Sequence, residues 1–105
     1  MGQSQKRKGT RVEREMVALF KKAGFDARRV PLSGAAEGFP GDVKVRMPDG
    51  EWLTCEVKAR KGGEGFKTLE RWLGANDLLL LKRNMRGPLA VIELDKLLEL
   101  MAGGE

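Results

Sequence analysis

The sequence predicts an α/β domain, a mixed β-sheet flanked by helices in the order αβββαββα. Three observations carry this. Apolar residues recur at helical spacing near both ends of the chain. Between those ends they alternate or run in short blocks. Gly- and Pro-rich stretches separate the blocks. At 105 residues the chain has the length of one domain, and its core is small enough that self-association would help it.

Each element has its own local reason. Residues 1–8, MGQSQKRK, are polar and read as a flexible basic arm ahead of a single domain covering 9–105. Thr10 followed by Glu13 fits a capping box, which places the start of the first helix there. Val12, Met16, Leu19, Phe20 and Ala23 form its apolar stripe, and Gly24 stops it as the residue after the C-cap. Residues 25–30 read as a short strand, and 31–41, PLSGAAEGFPG, as a loop. A second strand over 42–47 and a third over 51–58 are joined by the tight turn Pro48-Asp49-Gly50. Gly62, Gly63 and Gly65 make a second flexible loop before a short helix at 67–74. Two apolar strands follow at 77–82 and 89–94, joined through residues 84–88, and Asp95 caps a final helix carrying Leu97, Leu98 and Met101. No segment repeats another.

Composition narrows the chemistry. There is no histidine, so Ser-His-Asp triads, His metal sites and His general bases are excluded; there is no tyrosine to act as a nucleophile. One cysteine makes neither an internal disulfide nor a Cys-rich zinc site. An enzyme built from this chain works with carboxylates, lysine, serine and a hard metal ion. Twenty basic residues face fifteen acidic ones, a net +5, and the excess lies in residues 1–61. A basic half on a small chain suits a polyanionic partner; a generally charged solvated surface is the plainer reading of the same numbers. No apolar run approaches the roughly 18 residues of a membrane span, and no signal peptide is visible. The expectation is a cytosolic protein with no membrane partner and with Cys55 reduced.

The second and third strands hold the informative residues. With side chains alternating at period two, Asp42, Lys44 and Arg46 share one face, and Thr54, Glu56 and Lys58 share one face of the neighbouring strand. A hairpin sets Asp42 beside Glu56, with Lys58 next to them. Two adjacent carboxylates repel, and a divalent cation removes the penalty. Mg²⁺ suits such a site because it takes one or two carboxylates and keeps several waters. A lysine there orients a water or steadies charge on a phosphate. The alternative is a solvated strand face with an ordinary Glu–Lys pair. Trp52 and Cys55 read as packing residues, and Leu78–Leu81 with Ala90–Ile92 as core or dimer interface.

Pro40-Gly41-Asp42, thirteen residues, then Glu56-Val57-Lys58 resembles the PD-(D/E)xK nuclease signature. Lys6-Arg7-Lys8-Gly9, Glu13 and Lys22-Ala23-Gly24-Phe25 resemble the start of archaeal-type Holliday junction resolvases. So do Arg29-Val30-Pro31, Ser33-Gly34 and the run Glu56-Val57-Lys58-Ala59-Arg60-Lys61. The resemblance covers residues 6–61 well and the remainder in element order only. The chain departs from the pattern in a shorter C-terminal half and in Gly41 between Pro40 and Asp42.

The resemblance implies a restriction-endonuclease-like fold and a metal-dependent endonuclease of DNA recombination and repair. It would cut four-way junctions by paired phosphodiester hydrolysis, leaving 5′-phosphate and 3′-hydroxyl ends. Asp42, Glu56 and the Val57 carbonyl would hold Mg²⁺, with Mn²⁺ able to substitute. Glu13 would assist at the metal, unless it only completes the capping box with Thr10. Ser33 would lie near the scissile phosphate, unless it is only a turn residue. Lys58 would position the attacking water. Lys6, Arg7, Lys8, Arg11, Arg28, Arg29, Arg60 and Lys61 are the candidate DNA contacts. A two-fold homodimer would match a pseudo-two-fold junction in archaeal, bacterial or virus-infected cytosol. The alternatives are another nuclease with the same site, of restriction or VRR type, and a non-catalytic DNA-binding module.

Overall fold

The computed structural model describes residues 2–30 and 42–103, and of residues 2–9 only the helical backbone. Its elements are α1 (Gly2–Lys22), β1 (Ala27–Arg29), β2 (Val43–Arg46), β3 (Trp52–Cys55), α2 (Phe66–Leu73), β4 (Leu79–Leu81), β5 (Leu89–Val91) and α3 (Leu94–Gly103). The class is α/β, and the order is the one the sequence predicts. The strands lie in two antiparallel sheets, one ordered β1-β2-β3 and the other a β4–β5 pair. The chain divides into two compact units, residues 1–59 and 60–105.

In the first unit α1 begins at Gly2, so the stretch expected as a free arm supplies the first turns of the helix. Thr10 therefore lies inside the helix, and the capping box is not its start. The physical reason is propagation. Gln, Lys and Arg are good helix formers, and extending an existing helix backwards avoids the cost of a new nucleus. Gly9 costs only about 1 kcal/mol in such an interior. The far end follows expectation. Gly24 adopts φ +98°, its N–H donates to the Lys21 carbonyl, and the Phe25 N–H donates to the Phe20 carbonyl. That pair of bonds is a Schellman stop.

The stripe facing the sheet is rotated from the one expected. Phe20 is buried and Val12, Glu13, Met16 and Val17 are half-buried, whereas Leu19 and Ala23 are exposed. Helix α1 packs on β1 and β2, closing a core in which Ala27, Val43 and Val45 are almost wholly buried. The registers Ala27↔Val45, Arg29↔Val43 and Val43↔Cys55 place these residues on one face. The opposite face carries Arg28, Lys44, Arg46, Trp52 and Thr54. At the hairpin end the Gly50 N–H closes the turn on the Met47 carbonyl, with Gly50 at φ +92°.

The second unit holds α2, the β4–β5 hairpin and α3. Asp95 falls in the first turn of α3 rather than at its cap, where a carboxylate still complements the helix dipole. In the hairpin Leu80 pairs with Ala90, on the face opposite Leu79, Leu81, Leu89 and Val91. Among the described residues no helix is long and apolar enough to cross a membrane.

Candidate functional site

Asp42 stands at the mouth of β2 and is tied down on three sides. Its N–H donates to the Cys55 carbonyl at 2.8 Å, and its carbonyl accepts the Val30 N–H at 2.9 Å. Its Oδ2 accepts the Val57 N–H at 2.9 Å. These bonds anchor the carboxylate to β1 on one side and to the segment leaving β3 on the other. The β2–β3 ladder stops at Val43↔Cys55, and the Asp42 N–H reaches the Cys55 carbonyl one residue out of that register. One Asp42 oxygen accepts from the backbone, which leaves the second to accept a hydrogen bond or face a cation.

Strand β3 ends at Cys55, so Glu56, Val57 and Lys58 follow the ladder rather than belonging to it. Glu56 and Lys58 form an ion pair at 3.2 Å, with side chains 57% and 62% exposed. An exposed pair of this kind is worth little in water. Both groups can therefore exchange each other for a cation or a phosphate at small cost.

Glu13 takes a different partner. Its Oε1 accepts the Arg29 Nε–H at 3.1 Å, and its side chain is only 14% exposed. Arg29 lies in register with Val43, the residue after Asp42. Glu13 is thus held beneath the sheet by a cation next to the Asp42 strand. Among the described residues no three Asp, Glu, Cys or His side chains gather closely enough to hold a metal ion. The structure joins Asp42 to Val57 and Glu56 to Lys58, and keeps Glu13 with Arg29.

The other candidates are placed as follows. Ser33, with Pro40 and Gly41, lies outside the described residues. Lys6, Arg7 and Lys8 lie on the helical backbone of α1. Arg11 makes an exposed i,i+4 pair with Glu15 at 3.9 Å, and Arg28 pairs with Asp26 at 3.2 Å. Arg60 and Lys61 are exposed and begin the second unit. Burial pushes the Cys55 thiol above its ordinary value of 9.0, which keeps it protonated and unreactive.

Trp52, which the sequence reading takes as a packing residue, is half-buried and carries cations on its ring. Its ring lies under three cations: Lys44 Nζ at 5.0 Å, Arg28 at 5.3 Å and Arg46 at 5.8 Å from the centroid. Lys44 and Arg46 are absent from the expected DNA contacts. The signal for them was the alternation itself, which turns both toward the face of Trp52. Pairing β1 onto β2 then adds Arg28.

A family model described as archaeal Holliday junction resolvase matches residues 4–101. No solved structure matches the chain at a significant level.

Proposed function

The chain belongs to the family of archaeal Holliday junction resolvases, and from that membership we propose that it is a metal-dependent, structure-specific endonuclease acting as a homodimer on four-way junctions. The observation that carries the reading is the Asp42–Val57 bond, with the ion-paired Glu56 and Lys58 on either side of Val57. It supports a site built from two carboxylates and a lysine.

The donor set fits a hard divalent ion. The second Asp42 oxygen, the Glu56 carboxylate and the Val57 carbonyl are all oxygen donors, and Mg²⁺ accepts one or two carboxylates and completes its shell with water. Mn²⁺ takes the same donors. When bound there, the ion would supply Lewis-acid stabilisation of phosphate charge and an acidified water. The remaining work falls to the chain. Lys58 leaves its weak pair with Glu56, holds the attacking water and supports charge growing on the phosphate. The Val57 N–H keeps the Asp42 carboxylate aimed while the substrate arrives. Glu13 acts from beneath the sheet by fixing Arg29, and through it the start of β2. Water displaces the 3′ oxygen in line, which leaves a 5′-phosphate and a 3′-hydroxyl. Basic residues hold the backbone and set register without reading sequence, so recognition is by shape.

The deciding experiment compares a four-way junction with matched linear duplex, flap and fork substrates, each with and without Mg²⁺. Paired nicks on the junction alone, dependent on the ion, are the expected result. Equal cutting of all four would point to a general nuclease. Salt-sensitive binding with no cutting under any metal would point to a DNA-binding module.

A further inference from the structure

The outward face of the three-stranded sheet holds more positive charge than its own stability favours. Arg28 sits directly across from Lys44, and Arg46 follows two residues along the same face of β2. Like charges opposite one another weaken a strand pair. Asp26 offsets only Arg28; among the described residues neither Lys44 nor Arg46 has a carboxylate partner. What holds the three together is the Trp52 ring, within 6 Å of each. A rigid aromatic platform fixes three cations side by side, so a ligand binding them loses less side-chain freedom.

We propose that Arg28, Lys44 and Arg46, spread over Trp52, form a second anion site that grips the phosphate backbone of a duplex arm beside the reacting phosphate. The inference rests on the nuclease reading for its choice of nucleic acid. Its position follows from the strand. At about 3.4 Å per residue, Lys44 lies roughly 7 Å and Arg46 roughly 14 Å along β2 from Asp42. With an axial rise of about 3.4 Å per nucleotide on one strand, those offsets correspond to about two and four nucleotides. The occupant is backbone rather than a stacked base, because the cations already cover the indole and a base would have to displace them.

The test measures affinity for a four-way junction, a linear duplex and a single strand across a salt series, without divalent metal. The full-length chain is compared with the double variant Lys44→Gln/Arg46→Gln. A second double variant, Lys67→Gln/Arg71→Gln on α2, removes the same charge elsewhere. The first variant should lower the log–log salt slope by about 1.8, at about 0.9 per lost phosphate contact. The second should leave the slope near that of the parent chain. Trp52→Leu should weaken binding several-fold with little change in slope, because the charges stay while their platform goes. If the first double variant fails to fold, each single change should lower the slope by about 0.9.

An unchanged slope in the Lys44 and Arg46 variants overturns the proposal. So does a loss confined to single-stranded DNA, which would make Trp52 a base-stacking site. A parent chain that binds DNA with the expected slopes but cuts nothing overturns the nuclease reading and leaves this site standing.

Discussion

Because Asp42 Oδ2 accepts the Val57 N–H, two substitutions at this position should behave differently. Asp42→Asn keeps an oxygen for that bond and removes the charge; cleavage should fall by orders of magnitude with an unchanged melting temperature. Asp42→Ala removes the acceptor as well. Its net cost of about 1 kcal/mol should lower melting by about 4–8 °C for a domain of this size. Parallel cleavage assays and thermal melts separate the two; equal melting of both variants would show that the bond carries no weight. Glu13→Gln is the matching test beneath the sheet. Gln can still accept from Arg29, so the melt should move little. Cleavage should nonetheless drop by orders of magnitude, because the carboxylate charge beside the strand that follows Asp42 is gone. Normal cutting by Glu13→Gln would remove it from the site. Cys55 adds a prediction on the alkaline side. Folding favours its neutral thiol, so that contribution to stability is whole below pH 9.0 and is lost as pH rises through the raised value. Melting temperatures taken from pH 8 to 11 should fall, and Cys55→Ala should fall less steeply.

Single elements show which parts of the fold are legible in the sequence. The β2–β3 hairpin is, because period-two alternation and a Pro-Asp-Gly turn are local signals, and together they fix the register from Val43↔Cys55 to Arg46↔Trp52. The C-terminal stop of α1 is legible for the same reason. Gly24 sits at φ +98° with nothing within 4 Å of where a Cβ would lie, so Gly24→Ala should cost about 1–2 kcal/mol through the backbone alone. A denaturant titration reads that directly, and a stability equal to the parent chain would contradict the Schellman assignment. The start of α1 is less legible, since a cap motif competes there with cheap propagation. Its buried stripe is ambiguous too. Apolar residues at 12, 16, 17, 19 and 20 fit two centres on the helical wheel, and the sheet it packs on chooses the one that includes Glu13. The Arg28 part of the charged platform around Trp52 depends on β1 pairing with β2 across residues 31–41. That pairing is non-local, and no short pattern announces it.

At the scale of the whole molecule, the notable quantity is apolar surface left outside. Leu80 is 68% exposed, and Leu78, Leu89, Trp72 and Leu100 of the same unit are exposed as well. A small chain can cover such residues with a second copy, and paired nicking of a two-fold substrate needs two sites. Leu80→Glu removes no core volume, because the side chain is not in the core. It should convert a dimer into a folded monomer in sedimentation velocity, and should turn paired nicking into single nicking. A parent chain that sediments as a monomer at micromolar concentration would overturn the dimer.

The half-buried thiol has one more consequence when set beside the missing histidines. Histidine is the side chain whose ordinary charge changes near neutrality, and none is present. Burial moves the single cysteine further from that window. No imidazole can therefore gain or lose charge as DNA binds or is cut near neutrality, so a pH dependence of cleavage there would report groups other than histidine.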